Sequence, residues 1–582
     1  MGTRLKEPGD TPLDLSLAKG RSRLRVVSTV FVVAFLSIAL RLIDMVSWRA
    51  AGDAPASRPV ATAVDDAPRP EDVQRADIVD RNGVVLATNL RVPGVHADPS
   101  RLADKADAAK RLAAILPGVD AGELLQRFTE GKHFAWVKHR ITPEEQEAVL
   151  ELGLPGVGFS LAEHRVYPKG PLASHVAGFV NIDGKGLAGI ERSQDASLRE
   201  GNDPLALSLD LRIQQVVREE LLAAHHRFRS IGANAMVLDR TTGELLAMVS
   251  LPDFDPNRVG DVKGIEYLNR NVGEAYELGS VFKLLTIAAA LDTGRVSVTD
   301  KFDATGKLQI GRYRIGDDHA KNRWLSVPEI FEYSSNIGSA RMTFAAGGGP
   351  LLEGFFRRLG FYGPPAIEIS EVVRPRTPKK WADVTVATAA FGHGISVTPL
   401  QFLDAAGGLV GDGTRVPVTL LKREPGADLP HTRYVSARTA ELMRWLMWLV
   451  VEQGTGTKAK LASYEIGGKT GTAEKAGRGG YSTDRVLASF LGAFPIDAPR
   501  YLVFASLDEP QGDAGTHGYR TGGWIAAPVV AQIIDRIGPI LGVPPSGREV
   551  ADEYRARLAR LHPEAMKGSR QEATLAPGSA LR

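Results

Sequence analysis

Gly279-Ser280-Val281-Phe282-Lys283 heads an apolar run that continues to Leu291, and the helical spacing of that run puts Ser280 and Lys283 on one face. A serine hydroxyl is a poor nucleophile near neutral pH until a base takes its proton, and an amine three residues on is within reach to do so. At a helix start Ser280 also has a backbone N–H with no partner inside the helix, free to bind a developing oxyanion. The string alone carries little weight. A Ser and a Lys at this spacing arise by chance about once in a chain of this size, and Ser16-Leu17-Ala18-Lys19 has the same form.

Weight comes from two further strings that follow in order, Ser334-Ser335-Asn336 and Lys469-Thr470-Gly471-Thr472. Read singly, the first is an N-cap or polar turn and the second a strand end. Read together, Ser334 and Asn336 straddle Ser335, so a turn aims both side chains at one cleft while Ser335 points elsewhere. A hydroxyl between two lysines relays a proton to a leaving amine, and an amide holds a peptide backbone as donor and acceptor at once. Lys469, Thr470 and Thr472 supply a charge and two hydroxyls suited to a free peptide carboxylate, with Gly471 where a substrate backbone comes close. The Thr472 N–H is the natural second oxyanion donor. Burial, with Lys469 as a neighbouring cation, is expected to lower the pKa of Lys283 toward that of a useful base.

At 582 residues the chain has room for two or three domains. Its 43% hydrophobic and 24% charged residues and net charge of +3 are those of an ordinary globular protein, with no basic surplus for nucleic acid. Cysteine is absent, which excludes disulfides, thiolate metal sites and a cysteine nucleophile. No His/Asp/Glu string has metal-ligand spacing, so no metal and no cofactor is expected.

Lys19, Arg21, Arg23 and Arg25 precede the uncharged run Val26–Leu40, which predicts an inside N-terminus. The run falls short of the roughly 20 residues that span a bilayer, but a snorkelling Arg41 lets Leu42, Ile43, Met45 and Val46 extend it. A cleaved signal would show small residues soon after the run, whereas Ala54-Pro55-Ala56 comes late. The reading is therefore a tail at 1–25, a retained single-pass anchor at 26–46 and a Pro- and Ala-rich linker at 47–72. Residues 73–202 form a first module without a catalytic triple of its own, with a hairpin about Asn82-Gly83, helices over 105–116 and 143–152 and a strand at 134–137. Residues 203–545 form the second domain. There Asp210 caps a helix over 211–226, strands at 233–238 and 244–249 make a hairpin, 323–344 is largely helical, and strands follow at 486–494 and 501–507. The whole is α+β, an antiparallel sheet with a helical lobe. Residues 546–582 are a polar tail whose last fifteen or so read as disordered.

The ordered triple resembles the signature of penicillin-binding proteins. The flanks extend the likeness to class B of that family. They include Arg75 through Gly83; Arg165-Val166-Tyr167-Pro168 with His175, Gly178, Gly186, Gly189 and Glu191; Leu238 through Val249; Pro252 through Asn257; and Phe391 through Gln401. Matches run from about residue 20 to about 535. The resemblance implies the serine transpeptidase fold behind an elongated dimerisation- or pedestal-type module. It implies a peptidoglycan D,D-transpeptidase of cell division that cross-links stem peptides, on lipid-linked or nascent glycan, through an acyl-enzyme on Ser280. Lys283 is then the base, Ser334 the relay, Asn336 the clamp, and Lys469, Thr470, Gly471 and Thr472 the carboxylate site. β-Lactams are implied as covalent inhibitors. The implied surroundings are the inner membrane, a membrane glycan polymerase and other divisome proteins, with the catalytic domain in the periplasm. An elongation-type enzyme is the near alternative; a D,D-carboxypeptidase, a β-lactamase and a non-catalytic β-lactam sensor stand further off. Two positions depart from the family pattern: Leu278 stands where proline is common, and His393 where Tyr or Gln is, the latter read as packed or capping.

Overall fold

The computed structural model describes residues 75–201, 203–477 and 480–545, with short pieces at 35–37, 552–556 and 560. The tail, nearly all of the anchor, the linker and the last fifteen residues read from sequence lie outside the described residues. Among those described, no helix is long and apolar enough to cross a membrane.

In the first module the expected hairpin forms, Ile78–Val79 pairing with Val85–Ala97 across a turn in which Gly83 has φ +82°. Asp80 sets that turn, its carboxylate accepting from the N–H groups of Asn82 and Val84. The long strand also pairs with Ala135–Lys138 and Val157–Val166. Helices Lys105–Ile115 and Pro143–Leu152 form as the spacing predicts, each begun by a side-chain cap, from Asp104 and Thr142. The sequence reading had no place for a third, Ala121–Glu130, capped by Asp120. All three bury their apolar stripe against one face of the sheet around Val95, Leu112, Phe128 and Val137.

A single carboxylate gathers the far-apart blocks of this module. Glu191, with no exposed surface, accepts from Arg75 Nε at 2.5 Å, Arg165 Nε at 2.7 Å and the Tyr167 hydroxyl at 3.3 Å. The module's sheet then takes its last strand from beyond residue 202: Leu205–Ala206 pairs in parallel with Ile78–Val79. Asp80 also accepts from the N–H of Leu211, at the start of the helix Leu211–Arg227 that Asp210 caps.

The second domain is built on five antiparallel strands in the order Gly467–Gly477, Gly480–Phe494, Tyr501–Asp508, Gly232–Asp239, Glu244–Leu251. Successive side chains on a strand point to opposite faces. Ala235 and Val237 thus meet Ile213, Val217, Val530 and Ile534 of the helices Leu211–Arg227 and Gly522–Ile540. Met236, Leu238, Leu491 and Phe504 face the helical lobe, where Phe282, Leu285, Phe402 and Trp445 lie. With both faces covered, the strands Gly232–Asp239, Glu244–Leu251 and Tyr501–Asp508 are buried end to end.

The stretch 323–344 is not one helix. A short strand, Trp324–Ser326, leads to Val327–Glu332, and a second helix, Asn336–Ala346, starts after a break at Tyr333–Ser335. Within the region read as a polar tail, residues 552–556 are helical, and Tyr554 is buried against Trp448 with ring centroids 5.5 Å apart.

Replacing Glu191 with alanine leaves the guanidinium groups of Arg75 and Arg165 buried without their shared counter-charge. The expected loss is about 3–5 kcal/mol. Chemical denaturation of the full chain, with hydrogen exchange read in the strands between residues 78 and 166, checks it; a loss below about 1 kcal/mol contradicts this account.

Candidate active site

Ser280 lies on a 3-10 turn, Gly279–Phe282, that runs directly into the helix Lys283–Asp292. Every residue of that helix from Lys283 to Leu291 is buried, as its all-round apolar sequence requires. Lys283 is carried into the core with it and has no exposed surface. Four oxygens lie within hydrogen-bond distance of its nitrogen: Ser280 Oγ at 3.0 Å, Asn336 Oδ1 at 2.7 Å, Ser334 Oγ at 3.1 Å and the Ser334 carbonyl. Lys469, equally buried, donates to the same Ser334 Oγ at 3.0 Å. One hydroxyl therefore sits between two amines.

The turn that presents Ser334 is strained. Its φ of +59° is a left-handed conformation that a non-glycine residue rarely takes. The next residues hold it in place. Ser335 is buried and caps the helix Asn336–Ala346, its Oγ accepting from the Gly338 N–H. Asp317 accepts from Ser335 Oγ at 2.6 Å, Asn336 N at 2.6 Å and Ile337 N at 3.0 Å, while Asn336 Nδ2 donates to the Gly316 carbonyl at 3.1 Å. The outward aim of Ser334 and Asn336 and the inward aim of Ser335 follow from these contacts. Asp317 has no counterpart among the residues singled out from sequence. It follows a short hairpin, 308–315, nineteen residues before Asn336, and no local spacing marks a cap supplied from that distance.

Lys469-Thr470-Gly471-Thr472 lies inside the edge strand Gly467–Gly477, in register with Leu491 to Ala488. Thr470 Oγ1 lies 2.7 Å from Thr455 Oγ1 and 3.4 Å from Lys469 Nζ, and Thr472 Oγ1 accepts from the Gly522 N–H at 3.1 Å. Gly471 serves packing. A Cβ there would stand 2.4 Å from Ser489 Oγ and 2.8 Å from the Leu278 carbonyl, so its side-chain direction points at the nucleophile turn and not toward an incoming chain. Gly279, at φ +59°, approaches the same strand from the other side, its Cβ position 2.6 Å from the Thr472 carbonyl. Small residues on both sides let the turn and the strand edge touch. Leu278, in the place where proline is common, is buried in the core with φ −88°.

Burial pulls the Lys283 amine down to about 7, against the opposing pull of the Asp317 and Asp318 carboxylates. Lys469 is pushed well below its ordinary value, first by burial and then by repulsion from Lys283. The expectation that Lys469 would depress Lys283 is thus modified: desolvation leads for both, and the mutual repulsion falls on Lys469. His393 packs against Phe391 with ring centroids 5.4 Å apart, and burial followed by the Lys283 charge lowers it to about 4, so its ring stays neutral. Among the described residues no group of His, Asp and Glu is placed to hold a metal ion.

Residues 233–535 match the family model described as penicillin binding protein transpeptidase domain, and residues 70–203 that of the penicillin-binding protein dimerisation domain. Over 482 residues the chain is 40% identical to the probable peptidoglycan D,D-transpeptidase FtsI of Caulobacter vibrioides, covering 81% of this chain and 82% of that one. Over 519 residues it is 27% identical to the peptidoglycan D,D-transpeptidase FtsI of Escherichia coli K12, covering 82% and 86%. A solved structure of penicillin binding protein 3 from Mycobacterium tuberculosis, with aztreonam bound, superposes with a TM-score of 0.63 at 25% identity, covering 81% of this chain and 97% of that one. With both of its domains matched in order, the chain belongs to the class B penicillin-binding proteins.

Proposed function

We propose that this protein is a peptidoglycan D,D-transpeptidase that forms a serine acyl-enzyme on Ser280 and cross-links stem peptides during septal wall synthesis. The observation that carries the mechanism is the Lys283 amine, buried and 3.0 Å from Ser280 Oγ. As a neutral amine it gives its two N–H bonds to the carbonyl oxygens of Ser334 and Asn336, and its lone pair is left for the Ser280 proton.

Ser280 Oγ attacks the carbonyl carbon of the penultimate D-Ala as its proton passes to Lys283. The N–H groups of Ser280 and Thr472 serve the oxyanion. Collapse of the tetrahedral intermediate breaks the C–N bond, and the leaving D-Ala amine receives a proton through Ser334, which both lysines contact. The amine of a neighbouring stem peptide then attacks the ester, forms the new amide and returns Ser280 to its hydroxyl form. Asn336 clamps the peptide backbone, while Lys469 and the hydroxyls of Thr470 and Thr472 take the terminal carboxylate. A β-lactam opens on the same serine and leaves no amine to depart. The aztreonam complex of a solved relative supports that part of the reading.

The division role draws its support from relatives named FtsI. The anchor at 26–46, the periplasmic catalytic domain, and the contact with a membrane glycan polymerase and other divisome proteins complete the proposal.

Three outcomes are expected. Intact-mass analysis after incubation with a labelled penicillin finds one adduct on Ser280, and Ser280→Ala abolishes it with the melting temperature unchanged; an adduct elsewhere sinks the mechanism. The acylation rate constant requires the neutral form of Lys283, so it rises about tenfold per pH unit below 7 and levels off above it. Stopped-flow acylation across pH 5–9 reads that limb, and a flat profile would falsify Lys283 as the base. A fluorescent fusion gathers at the division site in constricting cells; a uniform side-wall signal throughout growth contradicts the septal role.

A further inference from the structure

The loop between the helix Ala437–Glu452 and the edge strand is held at several points. The N–H groups of Gly454 and Gly456 both donate to the Val450 carbonyl, at 3.1 Å and 3.0 Å. The N–H of Thr455 donates across the cleft floor to the carbonyl of Glu332, two residues before Ser334, at a long 3.4 Å, and Gln453 Nε2 reaches the Glu332 carboxyl at 3.4 Å. On its other side the Thr455 carbonyl lies 2.5 Å from where a Cβ on Gly523 would be, so this loop packs against the backbone beside Gly522, the donor to Thr472. The loop thus bridges the Ser334 turn and the start of the last helix, and it delivers one hydroxyl, Thr455 Oγ1, to within 2.7 Å of Thr470 Oγ1.

We infer that Thr455 is a positioning residue that fixes the direction of the Thr470 hydroxyl, turning its proton toward the peptide carboxylate; this rests on the reading of Lys469 to Thr472 as the carboxylate site. A threonine hydroxyl has one proton and two lone pairs. Lys469 Nζ takes one lone pair of Thr470 Oγ1, at 3.4 Å. Either hydroxyl of the 2.7 Å Thr455–Thr470 contact can be the donor, and the proposal assigns its proton to Thr455, which then takes the other lone pair. With both lone pairs occupied, Thr470 has only its proton to offer, and a carboxylate is an acceptor alone. Thr472 Oγ1 has one lone pair engaged by the Gly522 N–H. A hydroxyl set as a donor before the substrate arrives avoids reorientation at the moment of binding.

The test uses the full-length chain in detergent and two probes, benzylpenicillin with its free carboxylate and its methyl ester, with acylation followed by intact mass. For Thr455→Val, acylation by benzylpenicillin is expected to slow about tenfold, the size of one hydrogen bond to a charged group. The change should appear in the half-saturating concentration and not in the limiting rate. The methyl ester should react with this variant within about twofold of wild type, and Thr455→Ser should restore benzylpenicillin acylation. An equal loss with both probes overturns the proposal in favour of a purely structural role for Thr455, and no loss with either overturns it outright. Wild-type protein that makes no distinction between acid and ester overturns the carboxylate reading itself, and the proposal with it.

Discussion

The second domain is organised around the burial of one amine. Lys283 opens a helix that is apolar on all sides, so packing draws its side chain into the core, and a buried ammonium is costly unless it is neutralised or fully hydrogen-bonded. Both remedies are present. Its Nζ is surrounded by oxygens of Ser280, Ser334 and Asn336, and these can gather only because the chain turns left-handed at Ser334. That turn in turn depends on Asp317, whose carboxylate accepts two backbone N–H groups and the Ser335 hydroxyl. The reactive geometry is thus an outcome of satisfying a buried polar group.

The second amine sharpens the constraint. Lys283 and Lys469 each lie about 3 Å from Ser334 Oγ, so their nitrogens are at most about 6 Å apart. Two positive charges at that distance repel by about 3 kcal/mol at an effective dielectric constant of 20, before desolvation is added. Repulsion of that size disfavours the doubly charged state. In the proposed mechanism a proton taken from Ser280 enters a short chain of nitrogen, oxygen and nitrogen, which suits Ser334 as the point from which it leaves again.

Much of this was legible in the residues. Local signals with a mechanical cause held well: Asn82-Gly83 made its hairpin, Asp210 its cap, and the runs 233–238 and 244–249 a pair of strands buried on both faces. Features that need two distant segments at once were not legible. Ser334-Ser335-Asn336 was legible as an N-cap or turn, but the left-handed φ of Ser334 was not, because a positive φ leaves no mark in composition. Asp317 looks like any loop aspartate until the helix it caps is brought beside it. Gly471 was read as room for a substrate, and the fold spends that room on the nucleophile turn. The flanking blocks Arg75, Arg165 and Glu191 were visible as strings, but their shared reason, a single buried carboxylate, appears only in three dimensions.

The short strand Leu205–Ala206 has a consequence for the order in which the chain matures. The sheet of the first module is completed by residues that come after it, and Asp80 waits for the N–H of Leu211. A chain that emerges N-terminus first therefore cannot seal this module when residue 202 appears; it must hold the edge beside Ile78 open until the first turn of the following helix has been delivered. The seam between the two halves is closed by synthesis of the second, so a truncation placed at residue 203 would strip the first half of its own edge and release a sticky strand.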